Sequence, residues 1–245
     1  MMQGVISWNG QRSDQFGITV EKFPDYIKPE RKRDTFSVPG RNGDIILMQD
    51  AWKNVTQKYE IFAGNGDRGA VPGGFSQVAD WLYKPFGYCE LWDDFDPLHY
   101  RLAYFTGPFD VESSLLGRTG RTTISFDCKP QRFLFSGKNP VTFTGSGKMT
   151  NPTPFKARPM LKLTRTGTGI ATVTVNGTLF TISEMPAILY IDCDEMTCYD
   201  GAKANKNNLV TSSTSEFAVL DSGENTIAFT GAIASIAITP HWFEL

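Results

Sequence analysis

The chain of 245 residues has few of the side chains that metal sites and proton-transfer catalysis use. It contains only two histidines, His99 and His241, and it has no Cys-x-x-Cys pair. A closed zinc site needs four nitrogen or sulfur ligands, so the sequence offers no evident ligand set. The four cysteines are too irregularly spaced for a disulfide framework, and we expect them to be reduced. They are Cys89, Cys128, Cys193 and Cys198.

The sequence also lacks an excess of charge and a long apolar run. The formal net charge is −2, and nucleic-acid binding depends on clustered Lys and Arg. Arg31-Lys32-Arg33 is flanked by Glu30 and Asp34, which predicts a solvated strand edge or loop. No stretch approaches the roughly 20 apolar residues that cross a bilayer, and residues 1–6 do not resemble a secretion signal. We expect a soluble protein made in a cytosol, without affinity for membranes.

Motifs of catalysis are missing as well. There is no G-x-S-x-G segment, and two histidines give little support to a Ser-His-Asp triad. Paired carboxylates for glycoside hydrolysis leave no local signature, so that alternative stays open. We predict no catalytic residue, no cofactor-binding residue and no metal-binding residue.

One glycine-rich segment has the form of a dinucleotide-binding motif. Residues 64–69 read G-N-G-D-R-G, and Glu90 follows about 20 residues later. In a dinucleotide fold the third glycine lies inside a helix, whose N-terminus meets the pyrophosphate. Here residues 70–74 are predicted to separate that glycine from the helix, and the flanks lack a βαβ pattern. The segment is predicted to be a surface loop.

Three further segments resemble ligand sites only in part. Residues 145–148, Gly-Ser-Gly-Lys, lack the first glycine and the Ser/Thr of a phosphate-binding loop, since Thr142 and Met149 occupy those positions. The acidic segments 93–97 and 192–195 do not continue into a calcium loop. We interpret all three as turns.

What the sequence does contain is the pattern of β structure. Apolar and polar residues alternate in residues 121–128, where Thr122, Ile124, Phe126 and Cys128 share one face. Residues 55–62, 100–105 and 171–175 show similar alternation. Asn176-Gly177 separates two such runs, which predicts a two-residue hairpin turn because both positions need a positive φ.

Helical periodicity is convincing in one segment only. Phe75, Val78, Ala79 and Leu82 are spaced i, i+3, i+4 and i+7, and Pro85 with Gly87 follows. The spacing predicts one short amphipathic helix that covers part of a sheet.

A change of composition divides the chain. Residues 129–159 are rich in Gly, Pro, Ser, Thr and Asn, which predicts a boundary near residue 134. We therefore predict a mainly β protein with two β-sandwich domains. Residues 1–133 form the first, with the single helix, and residues 134–245 form a small antiparallel sandwich or jelly roll.

The five tryptophans have two interpretations. They can form sugar-stacking platforms on a sandwich face, or they can pack in cores and subunit contacts, as large aromatic side chains commonly do. Packing is the preferred interpretation. The residues are Trp8, Trp52, Trp81, Trp92 and Trp242.

An ordered series of short motifs resembles the distal tail proteins of siphophages. In the first half these are W-N-G at 8–10, F-G-I at 16–18, T-F-S-V-P-G-R-N-G-D at 35–44, L-W-D at 91–93 and I-S-F-D-C-K-P at 124–130. The second half contributes N-P-T at 151–153, R-P at 158–159, V-N-G at 175–177, Y-I-D at 190–192 and G-E-N-T-I at 223–227. The segment 39–43 also makes sense as a turn between strands at 34–38 and 44–48.

The resemblance implies a structural role. It implies that the first domain forms a ring of six copies that continues the tail tube, and that the second is galectin-like or carbohydrate-binding-module-like and projects outward. The ring would contact the tail-tube protein on one side and the tail-tip lysin or fibre hub on the other, with DNA only as passing cargo. The implied location is the tail tip of the virion. The alternative is a module that binds cell-wall saccharide during host attachment.

Overall fold

The computed structural model describes residues 4–64, 70–114 and 119–245. The chain forms two compact units, one of Met1–Arg132 with Leu245 and the other of Phe133–Glu244. The first contains β1 (Ile6–Trp8), β2 (Gln11–Arg12), β3 (Ile18–Val20), β4 (Arg31–Phe36), β5 (Ile45–Trp52), β6 (Val55–Gly64), α1 (Ala70–Tyr83), β7 (Cys89–Asp93), β8 (His99–Phe105), β9 (Glu112–Ser114) and most of β10 (Thr119–Leu134).

The first unit is built on a strongly curved sheet. Its strands follow the order β2-β1-β7-β8-β10-β6-β3, with β9 beside β10. β6 and β10 run antiparallel from Val55↔Cys128 to Gly64↔Thr119. Gly4, just before β1, forms an isolated antiparallel bridge with Val20 of β3, so the sheet curves until β3 reaches the start of β1. The inward face buries Ile61, Ile124 and others, so the alternation seen in the sequence becomes one apolar interior.

Helix α1 covers part of this interior. Val78, Trp81 and Leu82 are buried against the sheet, as the helical spacing predicts. The Trp81 ring stacks on Phe16 with centroids 4.9 Å apart, and its Nε1 donates to the Trp8 carbonyl oxygen at 3.2 Å. In the part of the chain that the structure describes, no helix is long and apolar enough to span a membrane.

The second unit is a β-sandwich of two antiparallel sheets. Its strands are β11 (Val141–Phe143), β12 (Gly147–Asn151), β13 (Met160–Arg165), β14 (Ala171–Val175), β15 (Thr178–Ile182), β16 (Ile188–Asp192), β17 (Thr197–Asp200), β18 (Val210–Ser212), β19 (Gly223–Gly231) and β20 (Ile233–Thr239). The last strand, β21 (Phe243–Glu244), lies outside both sheets and pairs with β10. One sheet has the order β11-β20-β13-β16-β17 and the other β12-β19-β14-β15-β18. Alternate residues such as Leu163, Val173 and Ile236 are fully buried between them.

The predicted fold class is confirmed: the described residues are mostly β, with antiparallel strands and one α-helix. The turn at Asn176-Gly177 is also found, with φ of 49° and 87°. All four cysteines are free thiols, and Cys128 is completely buried, as its strand face indicates. Trp8, Trp81 and Trp242 are core residues. Packing rather than sugar stacking therefore accounts for those three tryptophans.

Candidate functional site

Strands β4 and β5 form a two-stranded hairpin that carries apolar side chains on its surface. We name residues 31–52 the hairpin arm. Among the described residues, its strands pair only with each other. Every residue from 31 to 50 is exposed. Four apolar side chains show 55–56% of their surface: Phe36, Ile46, Leu47 and Met48.

The register of the hairpin arm places these side chains on both of its faces. Phe36 is opposite Ile45, and Asp34 is opposite Leu47, so one face contains Phe36, Ile45 and Leu47. The other face contains Ile46 and Met48, since successive residues of a strand point to opposite sides. Polar side chains lie between them, Asp34 on the first face and Arg33 and Thr35 on the second, so exposed apolar and polar residues are mixed on both faces.

Exposed apolar surface of this kind is unfavourable in water. Burying a large aliphatic or aromatic side chain completely is worth roughly 1.5–3 kcal/mol, so covering the five half-exposed side chains of one arm is worth on the order of 5 kcal/mol. Contiguous apolar patches on soluble proteins usually mark contacts with other molecules. The outer edges of β4 and β5 also offer backbone donors and acceptors for strand addition. The hairpin arm is therefore suited to an intermolecular contact.

Residues at the tip and at the base of the hairpin arm stabilise the pairing of its two strands. At the tip, Gly40 and Gly43 both have φ of +81°, a conformation that side chains other than glycine rarely adopt. At the base, the Lys53 amide donates to the Glu30 carbonyl oxygen at 2.8 Å. Arg31 lies over the Trp52 ring at 4.6 Å from its centroid. The Arg31-Lys32-Arg33 run is thus on an exposed strand, as its charge pattern predicts.

A second exposed aromatic patch follows helix α1. Phe86 is 97% exposed, and Tyr83, the last residue of α1, and Tyr88 are 53% and 42% exposed. Tyr88 contacts Tyr104 edge to face, with ring centroids 5.4 Å apart. Burial of an aromatic side chain removes a large apolar area from water, and aromatic residues are enriched in protein interfaces. This patch is therefore a further candidate contact surface.

The glycine-rich segment 64–69 lies largely outside the described residues. Helix α1 begins at Ala70, so the prediction that residues 70–74 separate the segment from the helix is wrong. Local helix propensity is weak for Pro72-Gly73-Gly74, but proline is tolerated in a first helical turn, where its missing N–H has no helical acceptor. The strand before the segment, β6, pairs with β10 and β3, both antiparallel, and the strand after α1, β7, is not its neighbour in the sheet. This topology does not provide the parallel βαβ unit that the dinucleotide motif requires.

The other partial motifs lie in turns and strands. Lys148 of the Gly-Ser-Gly-Lys segment pairs with Glu224 at 2.8 Å in neighbouring strands β12 and β19. Asp192 Oδ1 accepts the amide N–H groups of Asp194 and Glu195, which is the hydrogen bonding of a turn. Within residues 4–64, 70–114 and 119–245, no group of three His, Cys, Asp or Glu side chains is placed to hold a metal ion.

The acidic segment 93–97 belongs to a buried polar cluster that the sequence did not reveal. Asp93 is 5% exposed, and its carboxylate accepts hydrogen bonds from Tyr26 Oη at 3.1 Å and Tyr59 Oη at 2.8 Å. Its Oδ1 also accepts the amide N–H groups of Phe95 and Asp96, both at 3.0 Å. The carboxylate thus ties β6 and the segment before the hairpin arm to the turn after β7.

His99 and Arg132 complete this cluster around Asp96. His99 Nδ1 lies 2.8 Å from Asp96 Oδ1, and Arg132 Nη2 donates to Asp96 Oδ2. Burial raises the pKa of Asp96, but the hydrogen bonds from His99 and Arg132 outweigh burial, and the pKa is lowered overall. His241, the second histidine, is in the other unit, where its Nδ1 lies 3.3 Å from the Arg158 carbonyl oxygen. The histidines therefore have separate local roles.

The second unit has an aromatic pair on the outer face of one sheet. Tyr190 of β16 and Tyr199 of β17 are opposite each other and half-buried. Their rings are nearly parallel, with centroids 5.1 Å apart and an interplanar angle of 16°. Lys203 Nζ lies 4.5 Å from the Tyr199 centroid, and Lys162 Nζ lies 5.9 Å from that of Tyr190. Trp242, the tryptophan of this unit, belongs to its buried core and not to this face.

Comparison with known proteins relates the fold to phage tail components. No family model matches the chain, and no curated protein matches it in sequence. The fold is similar to that of the Dit protein of phage SPP1, described as a paradigm of the hub adsorption apparatus in phages that infect Gram-positive bacteria. The TM-score is 0.70 at 11% identity, over 96% of this chain and 97% of that one.

Two structures of the phage p2 baseplate in its activated conformation are also similar. The one with Ca gives a TM-score of 0.59 at 10% identity, over 97% of this chain and 98% of that one. The one with Sr gives 0.57 at 10% identity, over 96% and 97%. The resemblance to distal tail proteins that the motif series indicates is thus confirmed in the fold, across both units.

Proposed function

We propose that the chain is a non-enzymatic structural subunit of a siphophage tail tip, where copies assemble into a ring, most simply a hexamer. The observation that carries this proposal is the similarity of both units together to the SPP1 Dit protein, over nearly the full length of both chains. If only one β-sandwich domain resembled the SPP1 Dit protein by chance, the match would cover only one of the two units. The proposed location is the tail tip of the virion, after synthesis in the cytoplasm of the host bacterium.

The first unit, approximately residues 1–133, is the proposed ring-forming domain. A ring needs a head-to-tail contact between two different surfaces of the same subunit, closed by rotation. The hairpin arm supplies one such surface, since exposed apolar side chains lie on both of its faces. Contact between the arm of one copy and the body of the next would bury this surface and leave no free arm in the closed ring.

The other proposed partners follow from the position of such a ring. One side would contact the tail-tube protein and the other the tail-tip lysin or fibre hub. The exposed aromatic patch at Tyr83, Phe86 and Tyr88 is suited to a contact of this kind. DNA would pass through the lumen without being held, which is compatible with a net charge of −2.

Assembly can be tested on the purified full-length protein. We expect native mass spectrometry to show a closed oligomer, with six copies, and negative-stain microscopy to show rings. A protein that stays monomeric at high concentration and gives no ring in micrographs would contradict the proposal. Hydrolysis of purified cell walls by the protein would contradict the non-enzymatic part.

The hairpin arm can be tested by charge substitution. The double variant Ile46→Lys with Leu47→Lys places one charge on each face, and we expect it to remain monomeric because a buried unpaired charge costs several kcal/mol. Ile170→Lys, at a side chain that is 66% exposed in the second unit, is the control and should assemble normally. Circular dichroism of both variants separates loss of assembly from loss of folding. Rings formed by the double variant would exclude the arm from the contact.

A second candidate function is the binding of cell-wall saccharide by the second unit. Its support is the Tyr190–Tyr199 pair, because sugar rings stack on aromatic side chains that are partly open to solvent and the nearby Lys162 and Lys203 provide hydrogen-bond donors. Calorimetry of the full chain with cell-wall polysaccharides tests it. Binding that is lost in Tyr190→Ala with Tyr199→Ala, and kept in the control Phe86→Ala, would support the function. Absence of binding in the unmodified protein would exclude it.

A further inference from the structure

The tip of the hairpin arm contains an Asn-Gly pair, Asn42-Gly43. Both residues are exposed, as are all the others of the loop 37–44. The amide nitrogen of the residue after an asparagine can attack the asparagine side chain and close a five-membered ring. Glycine has no Cβ atom to hinder this approach. Asn42 therefore combines an unhindered successor with access to water, and the conformation around it decides whether the ring can close.

The conformation of the loop leaves Asn42 unrestrained. The Arg41 amide donates to the Val38 carbonyl oxygen at 3.1 Å and closes a turn, which Asn42 follows. Among the described residues, neither the Asn42 side chain nor the Gly43 amide has a hydrogen-bond partner. No hydrogen bond therefore opposes the rotation that brings the Gly43 nitrogen to the Asn42 side chain.

Asn176-Gly177 is the same dipeptide in a restrained setting. The Asn176 Nδ2 donates to the Val219 carbonyl oxygen at 3.1 Å and to Asn225 Oδ1, and its Oδ1 accepts the Thr226 amide at 2.9 Å. The five-membered ring contains the Cα–C bond of the asparagine, so its closure changes the backbone torsion ψ and moves the side chain. At Asn176 both changes break the contacts that align β14 with its neighbours.

A third pair, Asn9-Gly10, is exposed and restrained through its backbone. It forms the two-residue turn between β1 and β2, where Trp8 pairs with Gln11 and the φ values of the pair are 50° and 77°. In the described part of the chain, the Asn9 side chain has no hydrogen bond of its own. The fourth pair, residues 65–66, lies outside the described residues. Restraint thus increases from Asn42 to Asn9 to Asn176.

We propose that Asn42 is a site of spontaneous deamidation. The Gly43 nitrogen loses its proton to the solvent and bonds to Asn42 Cγ, the Cγ–Nδ2 bond breaks, and the amide nitrogen leaves as ammonia. Water then adds to either carbonyl carbon of the cyclic imide, and the bond from that carbon to the Gly43 nitrogen breaks. The products are aspartate and isoaspartate. One water molecule is consumed and one ammonia molecule is released, without any oxidant, cofactor or enzyme.

The reaction changes the surface of the hairpin arm. Arg41 and Asp44 are the charged residues of the loop 37–44, so its net charge changes from 0 to −1. In the isoaspartate product the main chain continues through the side chain and gains one methylene group, which alters the length of the loop as well. The site lies in the hairpin arm, and its chemistry does not depend on ring formation or on saccharide binding.

Peptide mapping of the full-length protein tests the site. Samples kept at pH 8.5 and 37 °C are digested at intervals, and mass spectrometry detects the exchange of an amide for a carboxyl group at each asparagine. We expect Asn42 to react faster than Asn176 by roughly tenfold or more, because the hydrogen bonds of Asn176 must break before its ring can close. Asn9 should react at an intermediate rate.

The same mapping of the double variant Ile46→Lys with Leu47→Lys removes any protection of the tip by a neighbouring copy. Faster reaction of Asn42 than of Asn176 in either protein supports the proposal. Equal rates at the two positions in both proteins, or no reaction at Asn42 in either, would overturn it.

A substitution at the site gives an independent measurement. Asn42→Gln lengthens the side chain by one methylene group, so the five-membered ring cannot form and the release of ammonia from the protein should fall. Asn208→Gln is the matched control, because Asn208 is exposed and is followed by the bulkier Leu209, and it should leave the release unchanged. In the unmodified protein the rate at Asn42 should rise with pH, since the attacking nitrogen must lose its proton. Release that is the same in Asn42→Gln as in the unmodified protein would contradict the site.

Discussion

At the scale of single residues, the first unit depends on a few buried charged groups between β6, β7 and β8. Asp93 accepts four hydrogen bonds, and Asp96 interacts with Arg132 and His99. Hydrogen bonds to a charged group are worth about 1.5–3 kcal/mol each, more than those between neutral groups. Together they fix the turn between β7 and β8, which local apolar patterning alone would leave loosely specified.

Asp96 should make the stability of the first unit sensitive to acid. Its pKa in the folded protein is lowered, so its contribution is complete above the unfolded value near 3.8 and is lost as the pH falls through the folded value. We expect Asp96→Asn to be less stable than the unmodified protein at pH 7 and the difference to shrink below about pH 4. Urea unfolding between pH 7 and pH 2 measures this.

The control for this experiment is Asp94→Asn. Asp94 is exposed and adjoins the same turn, so its substitution should change the unfolding free energy by less than about 0.5 kcal/mol at either pH. A difference between Asp96→Asn and the unmodified protein that stays constant with pH would show that the carboxylate charge is not what stabilises the turn.

The cysteines provide a second prediction at this scale. Burial raises the pKa of Cys128 and Cys193 to about 12 and that of Cys198 to about 11, and thiolates are the reactive form. We expect a thiol reagent at pH 8 to modify only the half-buried Cys89 in the folded protein and all four thiols in guanidinium chloride. Rapid modification of Cys128 in the folded state would contradict its burial in the core.

At the scale of elements, the turn between β14 and β15 shows how a dipeptide fixes a register. Val175 pairs with Thr178 across the two-residue loop. Asn176 also binds outside its own hairpin, since its Oδ1 accepts the Thr226 amide at 2.9 Å and its Nδ2 donates to the Val219 carbonyl oxygen at 3.1 Å. The turn thus aligns β14 with both of its neighbours.

Substitution of Gly177 should weaken this hairpin. Its φ is 87°, where a Cβ atom costs about 1–2 kcal/mol, so Gly177→Ala should lower the unfolding free energy by that amount. Gly167→Ala is the control, because no atom lies within 4 Å of the added Cβ and the backbone there has no positive φ. Chemical unfolding of both variants measures the difference. Equal stability of the two would mean that the turn relaxes to another type.

The elements also show where sequence patterns reach their limit. Alternation predicts β6, β10 and β14 well, because one face of each is buried and the other is not. The sequence predicts a strand at 44–48, and β5 begins at Ile45. The four adjacent apolar residues 45–48 do not indicate that both faces of β5 are exposed. Such a run is equally typical of a strand that is buried on both faces.

At the scale of the whole molecule, the chain has two separate apolar cores. Trp8, Ile61 and Phe126 belong to the core of the first unit. Leu163, Val173 and Ile236 belong to that of the second. Each unit exceeds 100 residues and buries an interior of a size that supports independent folding.

Two cores predict two unfolding transitions that respond separately to mutation. Leu163→Ala leaves a cavity in the second core and should cost about 2–5 kcal/mol, lowering the transition of that unit only. Ile170→Ala, at an exposed position of the same unit, should leave both transitions in place. Differential scanning calorimetry measures the two transitions. A joint shift of both in Leu163→Ala would show that the units unfold as one cooperative block.

By itself, the sequence determined the features that depend on neighbouring residues: the period of the strands and of α1, the positive φ at Asn176-Gly177 and the absence of metal and nucleophile motifs. Only the tertiary structure decided which strands pair, that Arg101 is buried beside Arg132, that Tyr190 meets Tyr199 and that the hairpin arm is exposed. These features join residues far apart in the chain. Their energies come from burial and charge proximity in three dimensions, which local periodicity does not encode.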